Sequence, residues 1–238
     1  MSHRSTDPLA CVAVDLSPAD IPRIYAVYTR ALAAVPDPAA VRADAPSFFE
    51  EMFAVGGEII GFLDEGELVA YGVLRPELDS EHDRAGLDGL VAPGAMMRVL
   101  DGSAVCPAYW GRGVQRAVIE TRISHAQTQG ASDVIAKAAP RNVPSMRNLT
   151  KGGFRIVGRV MKPYGWRYVH HRPVAPCPAV PEAGEWARAD DVDAAEARFR
   201  AGGFAFEARR DEAGEPILRF AKGLAPQSAD SEAASVTA

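Results

Sequence analysis

Val105-Cys106-Pro107-Ala108-Tyr109-Trp110-Gly111-Arg112-Gly113-Val114-Gln115-Arg116-Ala117 is the stretch that decides how this chain is read. An apolar, β-branched run enters it, a helical pattern leaves it, and two glycines flank an arginine in between. A strand that turns through glycines into a helix leaves the first backbone N–H groups of that helix without partners. With the positive end of the helix dipole they form an anion site the size of a pyrophosphate.

The neighbouring segments support that turn. On the N-terminal side, residues 95–106 read as a strand broken by Asp101-Gly102, and glycine inside a strand pattern signals a bulge or the close approach of a ligand. On the other side, Val114, Ala117, Val118, Thr121 and Ala126 predict a helix over 113–129, stopped by Gly130. A short buried strand over 133–138 follows, then a helix over 142–151 ended by Gly152-Gly153. A hairpin of 154–161 and 166–171 turns around Pro163-Tyr164-Gly165.

Further upstream, residues 8–16 read as a strand, and Ser17-Pro18-Ala19-Asp20 opens a helix with Ile21, Ile24, Tyr25, Tyr28 and Leu32 on one face. Asp37-Pro38 starts a second helix, which Pro46 interrupts. Strands over 58–63 and 67–74 pair around Asp64-Glu65-Gly66, and the polar stretch 76–94 reads as a long loop. After His171 four prolines stiffen a linker over 173–185. A helix over 189–201 and a hairpin of 204–209 and 216–220 form an appendage over 186–223, and the Ala/Ser-rich tail 224–238 is expected to be disordered. Lys151-Gly152-Gly153-Phe154 is echoed by Ala201-Gly202-Gly203-Phe204, which is read as two ordinary glycine stops rather than a duplication.

Composition narrows the class. Apolar residues at 47% and charged residues at 24% describe an ordinary globular chain. A net charge of −5 argues against a nucleic-acid scaffold, although Arg112, Arg116, Arg122, Arg141, Arg147 and Lys151 crowd the region of interest. Three scattered cysteines make neither a disulfide framework nor a zinc site, so no metal is expected and the thiols suit a reducing compartment. With no signal-like or membrane-spanning apolar run, a cytoplasmic protein without membrane contact is expected. A P-loop is ruled out because Gly-Lys-Ser/Thr is absent. A dinucleotide fingerprint is ruled out because Arg116 holds the third glycine position.

The order of elements and two motifs resemble the GCN5-related N-acetyltransferase (GNAT) superfamily over residues 8–172. The first, Trp110-Gly111-Arg112-Gly113-Val114-Gln115, is similar to the family's acyl-CoA loop, Gln/Arg-x-x-Gly-x-Gly/Ala. Trp-Gly-Arg-Gly occurs in its ribosomal-protein and antibiotic acetyltransferase branch, while Gln115 departs from the usual small residue. The second, Asn142-Val143-Pro144-Ser145-Met146-Arg147-Asn148-Leu149-Thr150-Lys151-Gly152-Gly153-Phe154, resembles the family's Asn-x-x-Ser-x-x-x-x-x-Lys-x-Gly-Phe helix.

The resemblance implies an α/β (α+β) fold: a central, mostly antiparallel mixed sheet, splayed between two parallel strands and flanked by helices, here with the C-terminal helix-hairpin appendage. It implies acetyl-CoA or another acyl-CoA as co-substrate. Backbone groups of Gly111, Gly113, Val114, Gln115 and Arg116 would hold the pyrophosphate, Arg112 and Arg116 would add charge, and Trp110 would pack on the cofactor or the core. The pantetheine arm would lie between strands 96–106 and 133–139. There it would pair with the Val105 backbone and meet Asn142 near the thiol, a residue that equally suits a helix cap. The N–H near Ser103 would face the thioester oxygen. Asp101, expected on the Ser103 face by the period of two, is the candidate proton acceptor. Glu77, Asp79, Glu81 and His82 stand behind it, and one of His170 and His171 should face the cleft. Leu149 occupies the position where many family members carry a tyrosine acid, so Ser145, Tyr109 or water would serve the leaving thiolate.

The implied function is acetyl transfer to a primary amine, on a small molecule or a protein N-terminus, by direct attack in a ternary complex. A CoA-binding module without catalysis is the alternative. The appendage could cover the acceptor cleft or mediate a homodimer.

Overall fold

The computed structural model describes residues 11–78 and 80–223. Residues 8–10 of the expected first strand, Asp79 and the tail 224–238 lie outside them. The elements run β1 (Val12–Asp15), α1 (Ile21–Ala34), α2 (Pro46–Ala54), β2 (Glu58–Asp64), β3 (Glu67–Pro76), α3 (Ser80–Asp83), β4 (Met97–Val105), α4 (Val114–Thr128), β5 (Asp133–Ala138), α5 (Val143–Lys151), β6 (Arg155–Lys162), β7 (Gly165–Pro173), β8 (Glu185–Arg188), α6 (Val192–Arg200), β9 (Gly203–Arg210) and β10 (Pro216–Lys222). No helix among the described residues is long and apolar enough to cross a membrane.

One mixed sheet of ten strands runs in the order β1-β2-β3-β4-β5-β7-β6-β9-β10-β8. Among the described residues β4 and β5 are its parallel neighbours, and the other pairs are antiparallel. The expected bulge in β4 is present. Gly72 stands opposite Ser103 and Leu74 opposite Leu100, so Asp101 and Gly102 together face Val73.

Several expectations change. Pro46 does not interrupt a helix but opens α2, because a first-turn proline costs no hydrogen bond and sets φ in advance. Asp37-Pro38 begins only a 3-10 turn, Pro38–Ala40. The proline-rich linker ends in a strand, β8, which the prolines before it concealed, and α6 starts three residues later than expected.

The C-terminal unit continues the sheet. β9 lies beside β6, with Ala205 opposite Ile156. Ala205, Ala208, Leu218 and Phe220 share one core with Met146, Leu149, Phe154 and Ile156. The sequence placed the helix and hairpin but not this shared burial, since apolar alternation names a buried face and not what covers it.

Arg122 sets how closely α4 packs on the sheet. It is buried and donates to the carbonyls of Val118, Val73 and Asp101 at 3.1–3.2 Å, so it belongs to the core and not to the basic patch. Burial lowers its pKa to about 10. The side chain fits because residue 72 is glycine: a Cβ there would stand 2.6 Å from Val118 Cγ1 and 2.7 Å from Arg122 Nε. Gly72→Ala is therefore expected to destabilise the protein by about 1–3 kcal/mol through overpacking, read as a lower urea midpoint with an unchanged slope.

Candidate active site

The site begins where β4 and β5 part. They pair from Met97/Asp133 to Leu100/Ala136. Beyond that point β4 continues on β3 to Val105, and β5 continues on β7 to Ala138. Cys106 donates its N–H to the Val69 carbonyl (2.8 Å), which makes 69/106 a hydrogen-bonded pair and Ala70/Val105 a non-hydrogen-bonded one. By the same alternation Gly72/Ser103 is non-hydrogen-bonded. The backbone N–H and C=O of Ser103 and Val105 thus point away from β3 into the gap. An extended chain with amide groups can pair with them there.

Helix N-termini stand at both sides of the gap. β4 runs through a 3-10 turn, Pro107–Tyr109, into α4, with Gly111 at φ 74° and Gly113 at φ 81°. Both glycines and Arg116 are exposed, and Gly113, the residue before the helix, offers no side chain to cap it. The N–H groups of the first turn have no side-chain cap. Tyr109 fixes the loop from below: its hydroxyl donates to Asp64 and its ring carries the Arg112 guanidinium at 4.7 Å. Tyr109 is thus a buried anchor and not a proton donor to the thiolate.

On the β5 side, Asn142 Oδ1 accepts from Ser145 N (3.2 Å) and caps α5, so its helix-cap role is realised. Ser145 stands in that first turn, while Leu149 is buried in the core.

Two polar contacts refine the expected cofactor set. Trp110 Nε1 donates to the Val105 carbonyl (2.7 Å), which leaves the Val105 N–H as its open group toward the gap. Gln115 Nε2 donates to Ser103 Oγ (3.0 Å), so the glutamine that departs from the motif ties α4 to β4.

Asp101 is not on the Ser103 face. The bulge resets the alternation, so Ser103 turns toward α4 while Asp101 turns toward the α1–α2 side. There it meets Arg75 (Nε–Oδ2 2.7 Å) and Arg42 (Nη1–Oδ1 3.4 Å). Burial alone would raise its pKa, but Arg42, Arg75 and Lys137 outweigh burial and hold it below the ordinary value. That makes Asp101 a weak proton acceptor and a strong anchor for two arginines.

The same cluster contains residues the sequence did not single out. Asp83 on α3 binds Arg75 (2.8 Å) and Lys137 (2.5 Å). Asp44, in the loop between α1 and α2, pairs with Arg42, and its Oδ2 lies 3.8 Å from where a Cβ on Gly102 would sit. Its backbone N–H donates to Tyr28 Oη (2.8 Å), which pins the loop against α1. Burial raises the Asp44 pKa despite Arg42. No motif marks Asp44. The helix expected from Asp37-Pro38 onward hid its place in the loop before α2.

The remaining fallbacks lie elsewhere. Glu77 is taken up by Arg84 (2.7 Å). Glu81 and His82 line a cavity of about 400 Å³ with Arg159, Trp166 and Glu196, and no gap residue lines it. Neither histidine faces the cleft: His171 Nε2 is bound to Asp133 (2.7 Å), and burial pushes the enclosed His170 down to about 4.

The parted strands, the glycine-opened helix and the capped α5 agree with one comparison in particular. The Acetyltransferase (GNAT) family model matches residues 22–154. The chain belongs to the GNAT acetyltransferase family. Solved structures share its fold at low identity. One is a GCN5-related N-acetyltransferase from Kribbella flavida (21% identity, TM-score 0.52, 70% of this chain and 99% of that one). A second is the ribosomal-protein-S5-alanine acetyltransferase from Vibrio fischeri (13%, 0.51, 71% and 96%). A third is the ribosomal-protein-S18-alanine N-acetyltransferase from Escherichia coli (17%, 0.50, 72% and 97%). A comparison with curated protein sequences returns no match. The three structures cover about 70% of this GNAT chain.

Proposed function

We propose that the protein is an acyl-CoA-dependent N-acyltransferase that passes acetyl from acetyl-CoA directly to a primary amine. The observation that carries this reading is the parting of β4 and β5 after Leu100/Ala136, next to the exposed, glycine-opened start of α4. The pyrophosphate would accept from the first-turn N–H groups of α4, with Arg112 and Arg116 adding charge. The pantetheine arm would run through the gap on the open backbone groups of Val105 and Ser103. The N–H beside Ser103 would stabilise the oxyanion as the amine attacks.

The attacking nitrogen must lose a proton. Asp44 suits that step better than Asp101, because its pKa is raised while that of Asp101 is held down. Asp101 then acts as the fixed partner of Arg42 and Arg75. Ser145, in the capped turn of α5, is left to hydrogen-bond the departing thiolate. A thiol with an ordinary pKa near 8.5 needs little help to leave.

Calorimetry with CoA and thiol release from acetyl-CoA across a panel of amines test this reading. Asp44→Asn is expected to lower kcat by about two orders of magnitude with CoA affinity unchanged. A protein that binds CoA, releases no thiol with any amine and is indifferent to Asp44→Asn is a binding module. The buried Leu149, where relatives place an acid, is the observation on that side. No heat with CoA or its esters refutes both.

A further inference from the structure

We infer that the acceptor amine carries an anionic oxygen group, a carboxylate or a phosphate, which is received between Arg42 and Arg167 beside the β4 bulge. The inference rests on the proposed acyl transfer and names the class of acceptor.

Arg167, near the start of β7, is only 7% exposed. Its Nη1 donates to the Trp166 carbonyl (2.8 Å), and its Nη2 is buried with no hydrogen-bond partner. Among the described residues no carboxylate lies within ion-pair distance of it. In Arg42 the buried Nη2 is likewise without a hydrogen bond, while Asp44 and Asp101 occupy Nε and Nη1 and the Tyr164 side chain also interacts with the guanidinium.

One ring lies near both guanidiniums, although Arg42 also stacks on Phe48 at 4.2 Å. Tyr164, in the turn between β6 and β7, lies under Arg167 at 4.5 Å and beside Arg42 at 5.9 Å, measured to the ring centroid. The tyrosine itself is 41% exposed. A buried guanidinium without an anion is unfavourable, and an aromatic face returns only part of what hydration loses. The local charge is also uneven. Arg42, Arg75 and Lys137 pair with Asp44, Asp83 and Asp101, the nearby Arg122 gives its N–H groups to backbone carbonyls, and Arg167 has no carboxylate and an unpartnered Nη2. The three paired cations are absorbed by the network that braces the bulge.

Two guanidinium forks with free N–H groups suit a planar or tetrahedral oxyanion. Its place follows from Arg42, whose Nη1 reaches Asp101 at the point where β4 leaves β5. An acceptor held there by its anion has its amine near Asp44 and the gap. The Tyr164 ring must turn aside to admit it. Its turn holds Pro163 and Gly165, the latter at φ 99°.

The test is calorimetry on the CoA-loaded protein. Free amino acids are compared with the matching amino-acid amides, and O-phosphoethanolamine with ethanolamine. At least one anionic probe should bind on the order of tenfold more tightly than its neutral match. The arm that responds identifies carboxylate or phosphate. Arg167→Gln should erase the preference and Arg167→Lys should keep part of it, since charge without the fork binds less specifically. The heat with CoA, measured first, shows that each variant is folded. Equal binding of anionic and neutral probes, no binding of either, or a preference that survives Arg167→Gln overturns the inference while acyl transfer stands. If CoA itself does not bind, the acyl-transfer reading fails, and the same titrations on the unloaded protein still decide whether Arg167 selects anions.

Discussion

Gly113→Val should weaken CoA binding by about a hundredfold while the protein remains folded, because left-handed backbone is an outlier for any β-branched residue. Gly113 holds φ 81° at the residue before α4, so its conformation aims the first-turn N–H groups. A non-glycine residue there costs about 1–2 kcal/mol if the backbone stays put. Valine can avoid that cost only by rotating the peptide planes, which removes the donors from the phosphate. Gly111→Ala is the graded control. A Cβ at 111 meets nothing within 4 Å, so only the strain at φ 74° remains and about a tenfold loss is expected. Calorimetry with CoA reads both variants. An affinity for Gly113→Val within about threefold of the parent would show that the loop is not the phosphate grip.

The second large effect is on stability. Asp83→Ala should cost about 3–5 kcal/mol, because it strands Lys137 and part of Arg75 as uncompensated buried charges. Asp83 is 1% exposed and is bound by both cations. Asp101 still holds Arg75, so the exposed deficit falls mainly on Lys137. Removing that cation as well, in Asp83→Leu with Lys137→Met, should recover much of the loss, and the double-mutant cycle measures the coupling. Urea unfolding is the measurement. A cost below about 1 kcal/mol for Asp83→Ala would place the network among the weakly contributing surface pairs.

The same network fixes a pH dependence. Arg75 and Lys137 hold the Asp83 carboxyl far below its ordinary value against the opposing effect of burial, and Asp101 is shifted the same way. A depressed folded-state pKa gives stability that is complete above the unfolded value, near 3.9, and is lost as pH falls below it. The parent should therefore lose stability below about pH 4 more steeply than Asp83→Asn does.

Much of this was legible in the chain. The glycines of Trp110-Gly111-Arg112-Gly113 announced the turn into α4, and Asp101-Gly102 announced the bulge, because left-handed backbone and strand breaks require particular residues nearby in sequence. Asn142 caps α5, one of the two roles its position suggested. Asp44, Asp83 and Arg167 did not announce themselves. Each is an ordinary charged residue whose importance comes from partners on other elements. Arg122 misled in the opposite direction, since a basic residue on a helix near a phosphate motif looks like a ligand until Gly72 is seen to make room for it in the core.

The sequence by itself determined most of the order of elements, the glycine turn and the two motifs that resemble the family's, because these depend on backbone preference and on spacing along one chain. Only the tertiary structure decided that the bulge turns Asp101 away from Ser103, that Arg42 joins Asp44 to Asp101 while Arg167 is buried without a carboxylate, and that the C-terminal strands complete the main sheet. Those outcomes depend on how far apart in sequence the partners lie and on which charges burial leaves unmatched, and neither can be read from residues taken in order.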